Sequence, residues 1–542
     1  MPNPRFAPSV FSLLLALPFA ARADTPPRLV VMLAIDQLRA DRLGAELPGG
    51  LGRLLREGRS YPDAVLDHAV TETCAGHATM LTGRHPGPAG LPGNVFLDVE
   101  AGRRVYCLED SPEEAGVIGV PDEGRSPRNL RVTTLGDWMK EARPATRVFT
   151  VAGKDRSAIA LGGKHADAAY WFSEEHFVGW TTSRHYAAEL PDWVREFNGI
   201  DPPRDGFFAS VPERWEHLPE TAQGAEGPDD FPGEADDLSR TSPHPLRDGD
   251  LETFAEQLFA SPYIDVVTLD FATELVKRER LGRGDGPDLL GISLSGHDVV
   301  GHRYGPNSHE ARDALLRIDA AFGRFLDFLE AELGKGSVVV ALTADHGVLP
   351  LPEWLAANGG SECPAADGRS GLKRMGFGLL WGLHWKFSPF SWPSSWVLFA
   401  GPMVGVKREL ARDEGVDVAD VVVETKAYLE SKPAVKHVWT RAEIEGGNGE
   451  FAELYRHSYD PERSGDLIVQ LAPTCLISSY GSGTTHGTPY LYDRAVPLVF
   501  FGPGIAPARV PGRAATVDIA PTLARQLGVP APEGLDGRAL FE

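Results

Sequence analysis

The stretch Arg28-Leu29-Val30-Val31-Met32-Leu33-Ala34-Ile35 is apolar after its first residue and ends directly at Asp36. An apolar run of this length without alternating polar residues is typical of a strand buried on both faces of a parallel sheet. Four other runs have the same character: Arg147–Ala152, Leu289–Leu294, Ser337–Leu342 and Ala495–Phe501. Apolar residues at helical spacing occur between them, most clearly over Glu310–Leu333 and Val517–Leu527. We therefore predict an α/β fold, with a mostly parallel sheet between layers of helices.

The composition restricts the class of protein. The chain has 542 residues, of which 42% are hydrophobic and 24% charged, as in globular proteins rather than disordered or fibrous ones. Its formal net charge is -23. Because nucleic acids are bound through clustered Lys and Arg, a nucleic-acid partner is excluded. An anionic substrate would need local cations or bound metal in a cleft.

The first residues have the pattern of a secretory signal. Arg5 precedes an apolar run from Val10 to Ala21, and Ala21-Arg22-Ala23 is a small-x-small cleavage site. We predict a signal peptide over residues 1–23 and a periplasmic or secreted protein without stable membrane insertion. The alternative is an uncleaved anchor, although the run is shorter than the ~20 residues that a spanning helix needs.

The remaining residues, 24–542, are predicted to form one catalytic domain with insertions at about 157–250 and 350–480. Asp201–Leu246 is rich in Pro, Gly, Asp and Glu, which predicts a solvated loop over the core. The Trp-rich stretch Pro352–Trp396 is open to three interpretations: a lid, a partner surface or a self-packed loop. Val404–Glu445 has the pattern of a small subdomain.

Acidic residues and histidines follow the predicted strands, at the edge of a parallel sheet where ligands collect. Each of these residues alone could be a helix N-cap or a surface ion pair. Together, several such side chains at one edge require cations to neutralise them. Mixed carboxylate and imidazole ligands suit zinc, so we predict two Zn²⁺ ions. The candidate ligands are Asp36, Asp298, His302, Asp345, His346 and His486.

Thr73 is the candidate nucleophile. It lies among small residues, and the helical pattern after it predicts a position at a helix N-terminus, where the macrodipole favours an alkoxide and a phosphate. The alternative role of Thr73 is that of a helix N-cap. Lys154 and Arg156 follow the predicted strand Arg147–Ala152, and two cations at this edge suit a phosphoryl group. Their alternative is a solvated turn.

These residues, in this order, resemble the alkaline phosphatase superfamily and, within it, the PafA-type secreted alkaline phosphatases with a Thr nucleophile. The matching motifs are Thr73 before Gly76-His77, Asn94 in the next loop, Lys154-Asp155-Arg156, Asp298 with His302, Asp345-His346-Gly347, His486 in Thr-His-Gly, and the closing segment Val517–Leu523. The resemblance implies one zinc held by Asp298, His302 and His486, and another by Asp36, Asp345, His346 and the Thr73 oxygen. It also implies that Asn94, Lys154 and Arg156 contact the phosphate.

One departure from the family concerns Cys74-Ala75, which stands where the family usually has Gly-Pro. It puts the local turn in doubt and raises the question of thiol oxidation. The cysteines, Cys74, Cys107, Cys363 and Cys475, allow three complete disulfide pairings, and the sequence does not choose among them. Sulfatases share the fold but use Cys-x-Pro-x-Arg, which this segment lacks.

The implied reaction is hydrolysis of small phosphate monoesters in two displacements, through a phosphorylated Thr73. Two positive side chains favour a monoester dianion over a diester, which has one substituted oxygen. The alternatives are a nucleotide pyrophosphatase/phosphodiesterase of the same superfamily and an exported binding protein that has lost catalysis. The physiological ester and the oligomeric state are not determined by the sequence.

Overall fold

The structure is a computed structural model that describes residues 27–174, 179–199, 205–247, 249–365, 368–478 and 481–541. The predicted signal peptide lies outside these residues. Within them, nine strands form a central sheet, and the predicted fold class is confirmed. In spatial order the strands are Ala508–Arg509, Arg59–Ser60, Leu498–Phe501, Val338–Thr343, Leu29–Ile35, Asp288–Leu294, Val148–Ala152, Ala168–Ser173 and Gly179–Thr181.

The quoted stretch forms the middle of this sheet. The strand Leu29–Ile35 pairs in parallel with Asp288–Leu294 on one side and Val338–Thr343 on the other. All seven of its residues are buried. Leu29, Val31, Leu33 and Ile35 face one helix layer, whereas the alternate residues Val30, Met32 and Ala34 pack against the other. Burial on both faces explains why the sequence shows no alternation.

The two layers are built from amphipathic helices. The first layer consists of Gly50–Glu57, Leu251–Phe259, Pro262–Arg278 and His309–Leu333. The second consists of Thr73–Thr82, Leu135–Ala142, Asp155–Gly162 and Ile519–Leu527. The helix Gly296–Tyr304 lies at the carboxyl end of the central strands. None of the helices among the described residues combines the length and apolarity needed to cross a bilayer.

The direction of one strand differs from the prediction. Ala495–Phe501 was predicted as a further parallel strand, but Leu498–Phe501 runs antiparallel to Val338–Thr343. The physical reason is its entry point. The loop that carries His486 lies at the carboxyl edge of the parallel strands, so the chain enters this last strand from that edge and runs back through the sheet.

A smaller antiparallel sheet lies beside the main one, with strands in the order Val397–Ala400, Met403–Val406, Leu467–Leu471 and Val435–Thr440. The helices Leu372–Phe387, Arg408–Asp413 and Val418–Glu430 accompany it, and their apolar residues share one core with the sheet. The predicted subdomain Val404–Glu445 is part of this unit. The division of the whole chain into a domain with two insertions stays a prediction.

The other α-helices of the described residues are Pro86–Ala89, Pro112–Ala115, Asp192–Asn198, Pro352–Ala357, Arg441–Gly446, Ala452–Ser458 and Leu491–Arg494.

The segment predicted as a solvated loop, Asp201–Leu246, is more ordered than its composition indicates. Phe207, Phe208 and Trp215 are buried and join the core of the first helix layer. The short strands Arg214–Trp215 and His244–Pro245 pair within the segment. The prediction of a wholly solvated loop was therefore wrong, because a few aromatic residues anchor an otherwise polar segment.

The Trp-rich stretch Pro352–Trp396 divides into packed and exposed parts. Trp396 is fully buried against the smaller sheet, whereas Trp385, Phe390 and Trp392 are exposed.

Disulfides join Cys74 to Cys107 and Cys363 to Cys475. The question of thiol oxidation at Cys74 therefore does not arise, since its sulfur is already paired.

A buried carboxylate ties the two helices Gly50–Glu57 and His309–Leu333 together, and it generates a prediction about stability. Asp319 accepts hydrogen bonds from the backbone nitrogens of Gly49 (2.5 Å), Leu51 (2.8 Å) and Gly52 (3.2 Å). Asp319→Ala would leave these donors unpaired, so the free energy of unfolding should fall by about 3 kcal/mol in urea denaturation. Asp327→Ala, an exposed position of the same helix, is the control. Equal stability of the two variants would contradict this role.

Candidate active site

The predicted ligands lie at the carboxyl edge of three adjacent strands. Asp36 follows Leu29–Ile35, Asp345 and His346 follow Val338–Thr343, and Asp298 and His302 lie on the helix Gly296–Tyr304 that follows Asp288–Leu294. Because these strands are in register, their ends coincide. His486 reaches the same edge from the loop before Leu498–Phe501. The structure therefore brings together the side chains that the sequence singled out.

The side chains form two overlapping groups. In one, ligand atoms of Asp36, Asp345 and His346 all lie within 4.8 Å of one another, and the same holds for Asp298, His346 and His486 in the other. His302 Nε2 lies 3.2 Å from Asp298 Oδ1, and His486 Nε2 lies 3.9 Å from that oxygen. The resemblance implies His302 rather than His346 beside Asp298 and His486, and the assignment of each histidine to one ion stays a prediction.

The charge balance of these groups favours a cation. Asp36 and His346 are fully buried, and Asp36 Oδ1 and His346 Nε2 lie 3.5 Å apart without a hydrogen-bond partner. Burial, together with the neighbouring carboxylates of Asp298 and Asp345, raises the pKa of Asp36 well above its ordinary value. A buried carboxylate oxygen without a partner, beside two other carboxylates, is unfavourable unless a cation neutralises it. The residues present therefore fit a metal ion.

The histidines are oriented as metal ligands. His302, His346 and His486 each place Nδ1 against a backbone carbonyl oxygen, of Thr484 (2.8 Å), Gly347 (3.0 Å) and Thr71 (2.6 Å), respectively. A carbonyl only accepts, so each Nδ1 carries a proton and Nε2 is the nitrogen left to bind an ion. Burial lowers the pKa of both His346 and His486, whereas the Asp298 carboxylate outweighs burial and raises the pKa of His302. Neutral imidazoles and carboxylates are the ligand set that zinc prefers.

Lys154 connects the two groups electrostatically. Its Nζ donates to Asp36 Oδ2 at 2.7 Å and to Asp298 Oδ2 at 2.5 Å. Burial alone would lower the pKa of Lys154, but the carboxylates of Asp298 and Asp36 outweigh burial and raise it. Lys154 is thus a buried, charged ammonium group, and the alternative of a solvated turn is wrong for it.

Arg156 lies in the first turn of the helix Asp155–Gly162, and its neighbours hold it in place. Asp155 accepts hydrogen bonds from the Tyr106 hydroxyl at 2.6 Å and from Arg125 Nε at 2.7 Å. The Nε of Arg156 is buried without a hydrogen-bond partner. Its positive charge acts on Asp36, and it partly offsets the burial that raises the pKa of Glu72, the residue before Thr73.

Thr73 is the first residue of the helix Thr73–Thr82, and Glu72 occupies the N-cap position. The alternative role of Thr73 as a helix N-cap is therefore wrong. Asn94 is fixed beside it, because Asn94 Oδ1 accepts from the Cys74 nitrogen at 2.8 Å and the Asn94 nitrogen donates to Glu72 at 2.7 Å. The helix packs directly on the strand end. A Cβ on Gly76 would lie 2.1 Å from the Asp345 carbonyl oxygen, which only glycine permits.

Sequence reasoning missed two residues that orient these groups. Gln37 donates from its backbone nitrogen to Asp345 Oδ1 at 3.1 Å and from Nε2 to Asp298 Oδ1 at 2.6 Å. His77 Nδ1 donates to the Thr73 carbonyl oxygen at 3.0 Å and lies 3.1 Å from Asp345 Oδ2. The available signals were the position of Gln37 next to Asp36 and the place of His77 in Gly76-His77.

The fold and the site together are typical of a metal-dependent enzyme with an α/β fold and a mostly parallel sheet. Residues 30–490 match the family model described as type I phosphodiesterase / nucleotide pyrophosphatase. The chain belongs to this family and is a PafA-type member of the alkaline phosphatase superfamily, as the resemblance implied. It is thus an enzyme of the alkaline phosphatase type that acts on phosphate esters.

Individual relatives match over nearly the whole chain. Alkaline phosphatase PhoK of Sphingomonas sp is 34% identical over 547 residues, which cover 96% of this chain and 91% of PhoK. Alkaline phosphatase PafA of Elizabethkingia meningoseptica is 30% identical over 95% of this chain and 94% of its own length. The crystal structure of wild-type PafA superposes with a TM-score of 0.86 at 29% identity, covering 95% of this chain and 98% of PafA. Murine ectonucleotide pyrophosphatase / phosphodiesterase 5 shares the fold alone, with a TM-score of 0.54 at 12% identity over 94% of this chain and 97% of that one.

The contacts of Gln37 generate a prediction about metal affinity. Gln37→Leu removes the donor that orients Asp298, and loss of such an orienting contact weakens metal binding by roughly 10- to 100-fold. Competition with a chromophoric zinc chelator measures this change. Gln526→Leu is the matched control, because the side-chain amide of Gln526 donates to the Pro503 carbonyl oxygen and not to a candidate metal ligand. Unchanged zinc affinity in Gln37→Leu would show that Gln37 does not orient a ligand.

Proposed function

We propose that this enzyme hydrolyses phosphate monoesters through a phosphorylated Thr73 at a two-zinc centre. The observation that carries the proposal is the pair of cations, Lys154 and Arg156, placed beside the carboxylate and imidazole groups and next to the segment that begins the Thr73 helix. Lys154 donates hydrogen bonds to Asp36 and Asp298, one carboxylate from each group of candidate ligands. The charge of Arg156 acts on Asp36 and on Glu72.

Asp298, His302 and His486 would hold one zinc ion, and Asp36, Asp345, His346 and the Thr73 oxygen the other. Two such ions supply Lewis acidity, which lowers the pKa of a coordinated hydroxyl and stabilises a leaving oxygen. Gln37 and backbone carbonyl oxygens orient the residues that would hold these ions.

Thr73 performs the first displacement. Its hydroxyl proton passes to solvent water and Oγ1 attacks phosphorus in line with the ester oxygen. One P–O bond forms while the bond to the leaving group breaks, and the departing oxygen takes up a proton from water. The N-terminus of the helix Thr73–Thr82 adds favourable potential for the anionic oxygen and phosphate. Water then attacks the phospho-Thr73 from the opposite side, releasing phosphate and restoring the hydroxyl.

The charge of the substrate follows from the donors around Thr73. A monoester dianion spreads its charge over three equatorial oxygens. Asn94, Lys154 and Arg156 offer an amide, an ammonium and a guanidinium group to these oxygens. The substituted oxygen of a diester would leave one of these donors without an anionic partner, and this mismatch favours the monoester.

Two findings on relatives support the proposal. PhoK and PafA, which match nearly the full chain, are named alkaline phosphatases. A solved variant of PafA, at a TM-score of 0.86, carries replacements of a Thr, an Asn, a Lys and an Arg, the four residue types of Thr73, Asn94, Lys154 and Arg156. The family description favours phosphodiester hydrolysis as the second candidate function, so activity must be compared on both ester types.

We also propose that the protein works outside the cytoplasm, in the periplasm or after secretion. The signal pattern over residues 1–23 and the two disulfides of the described chain support this location, because disulfides persist in oxidising compartments.

Replacement of Thr73 tests the nucleophile. Thr73→Ala should lower kcat/KM for an aryl phosphate monoester by at least about a thousand-fold, because no attacking oxygen remains. Thr73→Ser keeps the hydroxyl and is the matched control, so it should retain much of the activity and yield a phosphoserine in acid-quenched mass spectrometry. Near-normal turnover by Thr73→Ala would refute the assignment.

Replacement of both cations tests the choice of ester. In Lys154→Ala/Arg156→Ala, the ratio of monoester to diester kcat/KM should fall by roughly 100-fold, because charge-assisted hydrogen bonds to the dianion are lost. Lys436→Ala/Arg509→Ala removes the same charge from exposed positions and controls for net charge. Equal loss on both esters would mean that the pair does not select the monoester, and a wild-type preference for the diester would favour the second candidate.

A further inference from the structure

A second cluster of histidines and carboxylates lies away from the active site, where the segment Asp201–Leu246 meets the helix His309–Leu333. His217 follows the strand Arg214–Trp215, and His244 begins the partner strand His244–Pro245. Glu310 lies in the first turn of the long helix. Ligand atoms of His217, His244 and Glu310 all lie within 4.8 Å of one another.

The carboxylate of Glu310 is the unusual member of this cluster. The residue is 0% exposed, yet neither of its carboxylate oxygens accepts a hydrogen bond. Its Oε1 lies 3.2 Å from His244 Nε2 and 3.5 Å from His217 Nε2, and these ring nitrogens also lack a hydrogen-bond partner. Burying a carboxylate without a partner is unfavourable, so this arrangement calls for a positive charge at its centre.

The orientation of the rings directs one nitrogen of each histidine towards Glu310. His244 Nδ1 faces the Leu238 carbonyl oxygen at 3.2 Å and the Tyr304 hydroxyl at 3.3 Å, and its Nε2 lies against Glu310. His217 Nδ1 lies 3.5 Å from Asp229 Oδ1, and its Nε2 likewise lies against Glu310. Two ring nitrogens and a carboxylate oxygen therefore face one another, as three ligands of one ion would.

The neighbouring charged groups do not supply the missing cation. Arg317 donates to Asp313, whose carboxylate also accepts from Trp215 and Thr221. Glu234, buried nearby, has a pKa raised to about 9 by burial and by the charge of Glu310. A carboxyl group with this pKa is protonated and neutral at pH 7, so neither Arg317 nor Glu234 supplies a positive charge to Glu310.

We propose that His217, His244 and Glu310 bind a divalent cation of the zinc type at a structural site separate from the active centre. Two imidazoles and a glutamate form a recurrent protein ligand set for zinc. Asp229 would orient His217 as the outer carboxylate of a carboxylate–histidine–metal arrangement. The ion would join the strand pair of the insertion to the first turn of the helix His309–Leu333.

The position of the cluster suggests what the ion does for the enzyme. The same insertion contacts the active-site elements, since the Gly483 nitrogen donates to the Gly233 carbonyl at 2.7 Å and the Ala235 nitrogen donates to the Arg303 carbonyl at 2.9 Å. Gly483 precedes His486 in its loop, and Arg303 follows His302. An ion bound to this cluster would hold the insertion in place, and it would thereby stabilise the elements that carry His302 and His486.

The test measures zinc bound per chain by mass spectrometry of the metal, after equilibrium dialysis of the full-length protein. Glu310→Gln should bind about one ion fewer than the wild type and lose part of the zinc-dependent rise in Tm. Glu332→Gln, on the same helix and paired with Arg283 at the surface, is the matched control and should keep the wild-type zinc content. Equal zinc content in Glu310→Gln and the wild type would overturn the proposal.

A measurement on the unaltered protein covers the case in which Glu310→Gln does not fold. Zinc should protect His217 from carbethoxylation by diethyl pyrocarbonate, measured by peptide mass spectrometry, whereas the exposed His165 should react at the same rate with and without zinc. Reaction of His217 at a rate independent of zinc would overturn the proposal. Neither measurement uses catalytic activity, so failure of this site and failure of the phosphatase assignment are distinguishable.

Discussion

The burial of Asp36, Asp298 and Asp345 around one ammonium group, that of Lys154, is the constraint on which the rest of the site depends. It concentrates opposite charges at the carboxyl edge of a sheet where Asp36 and Asp345 are fully buried. One ammonium group does not balance three carboxylates, and the pKa of Asp36 is accordingly raised. A site with this residual negative charge is unfavourable for the fold alone, but it is what divalent cations require.

The surrounding fold holds these buried carboxylates in fixed positions despite their unfavourable charge. The strand Leu29–Ile35 is buried on both faces and in register with its neighbours, so Asp36 and Asp345 follow adjacent strand ends and Asp298 lies on the helix after the third strand. Backbone carbonyls fix the proton of each histidine, and Gln37 orients Asp298 and Asp345. The close packing of Gly76 on Asp345 brings the Thr73 helix to the same edge. Preorganisation of this kind places the carboxylates and imidazoles where they can share an ion, and ion binding would displace the Lys154 ammonium from Asp36 and Asp298.

Much of this arrangement was predictable from the sequence, for identifiable reasons. Strands buried on both faces are continuous apolar runs, and the residue after each run necessarily lies at the functional edge, which located Asp36, Asp298 and Asp345. Motif order located Thr73, Asn94, Lys154 and Arg156. Their catalytic roles stay predictions until the variants are measured.

Other features depend on contacts between residues far apart in the chain, and no local pattern contains them. The direction of Leu498–Phe501 follows from where the His486 loop enters the sheet. The packing of Trp215 under a polar segment depends on the helix His309–Leu333, where Asp313 accepts its indole hydrogen bond. The disulfide partner of Cys74 is 33 residues away and that of Cys363 is 112 residues away. The ring contacts of His77 and the cluster at Glu310 likewise join distant segments.

Anomalous diffraction from zinc-loaded crystals, recorded on both sides of the zinc absorption edge, tests the central claim most directly. The account predicts two peaks roughly 4 Å apart at the carboxyl edge, one beside Asp298, His302 and His486 and the other beside Asp36, Asp345 and His346. It also predicts that Lys154 Nζ is displaced from these carboxylates and is free to contact phosphate. A map without peaks at this edge, with Lys154 still bonded to Asp36 and Asp298, would contradict it.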